Sequence, residues 1–333
     1  MYHFIKRDIL THLYKKNNSE YLLQYISDLV PEGQKWVVFG INEDITHFLY
    51  ENKQHLRTKL SIPENDVTPI CDKYRFAAEI EKIGLLSPKT YLLNRFDENF
   101  LNHGSYVSKG RIGNKFRNIS NTKGMEIKSK DDLIKLKRYT ADYLDADEVL
   151  LQKKISRNDE VLSFCGFAIN GDLYNEFQYV KIRQHPNEFG TGTFLKSIKD
   201  STIYKQSVSI IKHFAYTGIF EIEFVKDFNG NYYIIEMNPR TWKSIHFATL
   251  CGQNLCTAYL NYMDKGIIPE KNYNYFTDKT WVDLGTDIPM LIKNRQWAHP
   301  GYDKNTFFCV LNQKDPLPFL MEILMTPFIS LGI

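Results

Sequence analysis

The stretch Gly218–Arg240, reading GIFEIEFVKDFNGNYYIIEMNPR, constrains this 333-residue chain more than any other. Phe220–Val225 and Tyr232–Met237 are dense in β-branched and aromatic residues. The Lys-Asp-Phe-Asn-Gly-Asn between them supplies Asn-Gly turn chemistry, which predicts two antiparallel strands closed by a tight turn. Side chains two apart share one face of a strand. Glu221 and Glu223 therefore share a face of the first strand, and Glu236, Asn238 and Arg240 repeat the spacing on the second. Carboxylates brought together in this way make an oxygen-rich pocket. A hard cation such as Mg²⁺ takes one or two carboxylates and completes its shell with phosphate oxygens. A cation two residues further on is placed to neutralise a transferring phosphoryl group. The plain alternative is a hairpin with a charged surface face, but an acid inside Tyr-Tyr-Ile-Ile-Glu-Met is hard to assign to a surface.

A Glu in a strand after Gly, followed by a hydrophobic strand ending Glu-x-Asn-Pro-Arg, resembles the metal and phosphate site of the ATP-grasp enzymes. That group includes biotin carboxylase, carbamoyl phosphate synthetase and the D-aspartate ligase-like carboxylate–amine ligases. The resemblance covers roughly residues 35–320 and is strongest over 148–255. It implies an α+β ATP-grasp fold, two α+β subdomains gripping ATP, preceded by a trimmed Rossmann-like α/β N-terminal domain. The boundaries it implies are 1–87 for the N-terminal domain, 88–152 for the small lid subdomain and 153–333 for the large subdomain. Glu223, Glu236 and Asn238 would hold Mg²⁺ or Mn²⁺, with Glu221 taking the place of Glu223 if the register shifts.

The same resemblance assigns the nucleotide contacts. Lys109, at the end of strand Ser105–Lys109, matches the lysine that reaches the α-phosphate. Leu150-Leu151-Gln152-Lys153-Lys154-Ile155 is similar to the adenine hinge, with Gln152, Lys153, Lys154 and Ile155 reading the base. Glu160 matches an acid that binds ribose hydroxyls, or is a polar strand face. Lys181, Arg183 and the loop His185–Thr193 would face the acyl-phosphate and second substrate. There Arg183 stabilises a tetrahedral intermediate, grips the acceptor's carboxylate in two prongs, or is an edge-strand solubility residue. Arg240 is the third catalytic candidate. Asp72-Lys73 followed by Ile83-Gly84-Leu85-Leu86-Ser87-Pro88-Lys89-Thr90 looks like the family's entry into the ATP-grasp domain; without the family it is a capped helix and a turn.

Apolar periodicity predicts the remaining elements. Ile5, Ile9 and Leu13, then Leu22, Leu23, Ile26 and Leu29, mark two helices within 3–30. Lys35–Gly40 reads as a short strand, followed by the acidic helix start Asn42-Glu43-Asp44 and a helix over 43–57. Between His103 and Lys130 stand seven Lys or Arg and one acid, Glu126, which suits a flap closing on triphosphate or a solvated basic loop. A helix is expected over 130–145, strands over 148–153, 160–169 and 172–182, a helix over 201–217, and a long apolar helix after Ser244. His246 reads as a packed or capping residue. The apolar run Pro318–Ile333, broken by Glu322 and Pro327, reads as a core-docked helix and tail.

Hydrophobic content of 43% and charged content of 24% are those of a globular protein, and a net charge of +3 gives no argument for nucleic acid or membrane partners. Five cysteines in no metal or disulfide spacing suit free thiols in a reducing cytoplasm. The N-terminus lacks the apolar core of a signal peptide. Small carboxylate and amine substrates are the expected partners, and the resemblance allows a homodimer. The implied activity is ATP-dependent amide formation through an acyl-phosphate. Two alternatives stay open: a carboxylase or carbamoyl-phosphate-type synthetase, and a nucleotide-binding regulatory module without turnover.

Overall fold

Three sheets organise the chain, and the computed structural model describes residues 19–120, 122–141, 144–186, 188–295, 300–312 and 314–331. The first sheet is a parallel pair, β1 (Trp36–Val37) with β2 (Leu60–Ser61), flanked by α1 (Ser19–Leu29) and α2 (Glu43–Glu51). Leu22, Ile26, Phe48, Leu49, Leu56 and Leu60 close its core. Ile5, Ile9 and Leu13 lie outside the described residues. The strand expected over Lys35–Gly40 is only two residues long. Downstream, the carbonyls of Val38 and Gly40 accept from Tyr259 and Thr241 of the large sheet's side rather than from a ladder partner. The helix expected over 43–57 breaks at Asn52, whose side-chain amide bonds back to the Phe48 carbonyl at 2.9 Å.

A connecting helix, α3 (Lys73–Lys82), starts where the Asp72 carboxylate accepts from the Tyr74 and Arg75 amides. The second sheet is fully antiparallel in the order β3-β6-β4-β5: β3 (Thr90–Leu92), β4 (Tyr106–Gly110), β5 (Met125–Ile127) and β6 (Val149–Lys153). Helices α4 (Lys115–Ser120) and α5 (Lys130–Ala141) pack on it around Tyr106, Phe116, Leu133, Leu136 and Leu151. The basic run after Lys109 is therefore not a bare loop. Phe116 inserts into this core and folds the run into a helix and a strand.

Seven strands form the third sheet in the order β11-β10-β7-β8-β9-β12-β13. They are β7 (Arg157–Ile169), β8 (Asp172–His185), β9 (Thr191–Ser197), β10 (Gly218–Asp227), β11 (Tyr232–Asn238), β12 (Thr280–Val282) and β13 (Thr306–Phe308). The β7–β8 turn carries Asn170 at φ 49° and Gly171 at φ 82°, the two left-handed residues that a tight hairpin demands. One face of the sheet buries Phe164, Phe220, Ile222 and Phe224 against α3 and α6 (Ser201–His213). The other buries Phe167, Phe177, Trp242 and Trp281 under α7 (Ile245–Leu250) and α8 (Leu255–Lys265). The single long helix expected after Ser244 is these two helices, separated where Gly252 turns to φ 100°.

Two helices follow, α9 (Leu284–Lys293) and α10 (Leu317–Leu331). Phe319 packs against Phe308 with the rings tilted by 58°, but Leu317, Leu320, Met321 and Leu324 are exposed, so α10 is not core-docked as expected. Both faces of the large sheet are already covered, and α10 packs instead against α9 and the β13 edge. All five cysteines are free. Among the described residues no helix is long and apolar enough to cross a membrane.

Candidate functional site

Antiparallel pairing of β10 with β11 sets Glu223 directly opposite Glu236 and Glu221 opposite Asn238. Ile222 and Phe224 fill the core under α3 and α6, so period two turns the acids to the other face. There the two acids of β10 part company. Glu221 is 5% exposed, accepts from the Tyr179 hydroxyl, and takes the Asn238 side-chain amide at 3.1 Å. Burial, reinforced by the neighbouring Glu223 charge, pushes its pKa up. Glu223 accepts from Lys181 Nζ at 2.8 Å through Oε1, and its other oxygen has no protein donor among the described residues.

Five cations surround this pair: Lys73, Lys109, Lys123, Lys181 and Arg240. Burial alone would raise the Glu236 pKa, but Lys73, Lys109, Lys123 and Arg240 outweigh it and hold the carboxyl at about 2. Lys73 Nζ lies 2.9 Å from Glu43 on α2 and 4.0 Å from Glu236, joining the first unit to the hairpin. Burial opposes its charge, yet Glu43 and Glu236 prevail and its pKa rises. For Lys181 burial is likewise outweighed, by Glu223 and Glu221. In Lys109 burial wins and lowers the pKa; its Nζ donates to Gln152 Oε1 at 3.0 Å. Arg240 donates to Asn238 Oδ1 at 3.1 Å and to the Thr241 carbonyl at 2.9 Å, while its Nε is buried with no protein acceptor among the described residues.

Lys73 and Lys123 were not singled out for chemistry by the sequence. Asp72-Lys73 was legible as a helix start, and Lys123 lay among seven similar cations. Only the docking of α3 and β5 turns these two toward the carboxylates. Lys123 also donates to Thr191 Oγ1 at 3.0 Å, reaching across to β9.

The expected nucleotide contacts divide. Gln152 lies on β6, paired with Val107 of β4 and buried beside Lys109. Lys153 ends β6 next to the half-buried loop residues Lys154 and Ile155. The Lys154 ammonium is engaged by Glu126 at 3.0 Å and Glu188 at 2.8 Å, so its backbone is the part left to read a base. Glu160 is exposed on the register of Leu162 and Phe164, and its field acts on the Tyr232 hydroxyl of the side covered by α3 and α6. The structure does not bring it to the Glu223–Glu236 face, because an even step along β7 points the other way. Arg183 also departs from expectation. Its guanidinium is spent on Asp287 of α9, with Nη2 at 2.6 Å and Nε at 3.1 Å, and it stacks on Phe194 at 4.3 Å. His246 is exposed rather than packed.

Glu223 and Glu236 in cross-strand register, with Asn238 beside them, fit a Mg²⁺ ion that takes its remaining ligands from phosphate and water. No group of three or more His, Cys, Asp or Glu suited to a closed metal cage occurs among the described residues. Beside the pair, a small cleft runs between Glu43, Thr46 and His47 on one wall and Glu236–Arg240 on the other.

Residues 187–256 match the family described as Carbamoyl-phosphate synthase L chain, ATP binding domain. No curated protein matches the sequence. Among solved structures, the chain resembles N5-carboxyaminoimidazole synthetase from Staphylococcus aureus complexed with ADP, at TM-score 0.60 and 16% identity over 92% of this chain and 84% of that one. It also resembles the L-amino acid ligase from Bacillus licheniformis (0.57, 15%, 76% and 61%) and biotin carboxylase from Campylobacter jejuni (0.59, 15%, 79% and 61%). The chain spans about three fifths of the length of these last two. The fold is ATP-grasp, α+β, with a reduced α/β unit in front.

Proposed function

We propose that this ATP-grasp chain is an ATP-dependent carboxylate–amine ligase, forming an amide through an acyl-phosphate on an amino acid or a cell-envelope or glycan precursor. One observation carries the reading: Glu223 and Glu236 face each other inside a ring of Lys73, Lys109, Lys123, Lys181 and Arg240. Phosphoryl transfer is mostly positioning and charge management, and such a ring suits a triphosphate meeting a carboxylate. Bound by Glu223, Glu236 and Asn238, Mg²⁺ or Mn²⁺ supplies neutralisation of the phosphoryl oxygens.

The chain's own groups do the rest. Lys109 and Lys123 approach the phosphates from the second sheet, and Lys181 from β8. A substrate carboxylate in the cleft meets the remaining Nε–H of Arg240. Its oxygen attacks the γ-phosphorus, the bond to the bridging oxygen breaks, and ADP leaves. An amine then attacks the acyl carbon, the phosphate departs, and the amine proton passes to it. The second sheet, closing on the β10–β11 hairpin, keeps water from the acyl-phosphate. The cytoplasm is the compartment proposed for the reaction, in keeping with five free cysteines. A carboxy- or carbamoyl-phosphate-type reaction shares the first half, and the matched family description favours it as the second reading.

ADP release with MgATP, measured against pooled amino acids and pooled carboxylic acids, tests the proposal in wild type and Glu236→Ala. Turnover that requires one pool and disappears in the variant supports a ligase. Nucleotide binding without turnover in any pool leaves a specialised acceptor outside the pools or a regulatory module without turnover, and no nucleotide binding removes ATP use altogether.

A further inference from the structure

The turn that follows Lys109 is held from outside its own sheet. Arg111 carries both Nε (3.0 Å) and Nη2 (2.8 Å) to Oδ2 of the buried Asp72, and its carbonyl accepts from the Lys73 amide at 3.0 Å. Three residues on, Asn114 gives its backbone amide to Asp44 Oδ1 at 2.8 Å and its side-chain amide to Asp44 Oδ2 at 3.0 Å. Asp44 stands in the first turn of α2, seventy residues away in the chain. Gly113 between them sits at φ 64°, and a Cβ there would stand 2.5 Å from Asp44 Oδ1. Glycine is demanded twice, by conformation and by the close approach of the carboxylate.

The first turn of α2 thus faces two ways. Glu43 holds Lys73, which lies 4.0 Å from Glu236, while Asp44 holds the lid turn that begins one residue after Lys109. Ile112 and Gly113 of that turn also line the cleft with Glu43, Thr46, His47 and Arg240. We propose that Asp44 is a positioning residue for the nucleotide lid. By fixing the Gly113–Asn114 turn it sets where β4 carries Lys109, and it makes the small N-terminal unit part of nucleotide binding. The inference rests on the ATP reading above.

Isothermal titration of MgADP, which needs no acceptor, tests it on wild type, Asp44→Ala, Gly113→Ala and Asp44→Asn, with thermal melting of each. Asp44→Asn keeps an oxygen for the Asn114 amide, and the Asn114 side chain can turn to meet the new NH₂. Loss of two hydrogen bonds to a carboxylate predicts weaker MgADP binding by about tenfold in Asp44→Ala and Gly113→Ala, and rescue to within about threefold in Asp44→Asn. Equal MgADP affinity in wild type and Asp44→Ala overturns the latch while leaving ATP use intact, whatever the melting temperatures. Failure of Asp44→Asn to recover overturns it too. A wild type that does not bind MgADP removes the ATP reading and the proposal with it.

Discussion

Two charged clusters stand side by side on β8, one built around Lys181 and the other around Arg183, and they are finished differently. In the second, the Asp287 carboxylate is fully buried and saturated. Arg183 meets it from two nitrogens, and Thr193 Oγ1 and the Tyr302 hydroxyl each donate at 2.5 Å. In the first, Glu223 and Glu236 keep side-chain exposures of 19% and 22%, and cations outnumber the acids they face. A closed cluster has no capacity left for a ligand, whereas an open one with surplus positive charge is suited to a polyanion. The difference separates a charge that holds the fold from charges that await a substrate.

Removing a carboxylate from each cluster is the most direct way to break the comparison. Glu223→Ala and Glu236→Ala should each lower ATP turnover by about 10²–10³-fold with the fold retained, as read by steady-state ADP release and circular dichroism. Asp287→Ala strands a largely buried guanidinium and should cost about 3–5 kcal/mol in denaturant unfolding, with turnover per folded molecule unchanged. If Asp287→Ala instead abolishes turnover in folded protein, the second cluster is not merely structural.

A pH series sharpens the contrast inside the open cluster. Glu236 titrates below its ordinary value of 4.5, near 2, so the stability it contributes is complete above pH 4.5 and fades as pH falls toward 2. Glu221 titrates above 4.5, so its contribution is present at lower pH and lost as pH rises. Melting curves should therefore show Glu236→Gln losing most against wild type near neutrality, while Glu221→Gln gains on wild type as pH increases. Parallel curves for the two variants would contradict these opposite signs. The smallest effect belongs to Glu160→Ala. An exposed side chain off the site face should change nucleotide affinity by less than about threefold in titration calorimetry.

Legibility in the sequence followed the range of the interaction. The hairpin, the shared face of Glu221 and Glu223, and the matching step to Glu236 and Asn238 all follow from strand alternation and an Asn-Gly turn. Asp72 as a helix cap was equally local. The step from Glu221 to Glu223 was not decidable, since both point the same way. Burial under Tyr179 and the bond from Asn238 distinguish them, and both come from other strands or from pairing. Glu160 could be placed on a strand but not on a face, because the register of β7 against β10 is a tertiary quantity.

What the sequence determined by itself, then, is the longer strands of the large sheet, several of its helices and which side chains share a face, because backbone geometry repeats every two or 3.6 residues. The tertiary structure alone decided which charges meet. Arg183 finds Asp287 across 104 residues, Lys73 finds Glu43 across 30, and Asp44 finds Asn114 across 70. A charge in a sequence carries no address for its partner. The address is written when buried apolar faces dock and desolvation makes every unpaired ion costly, so the partner is fixed by packing of the whole molecule.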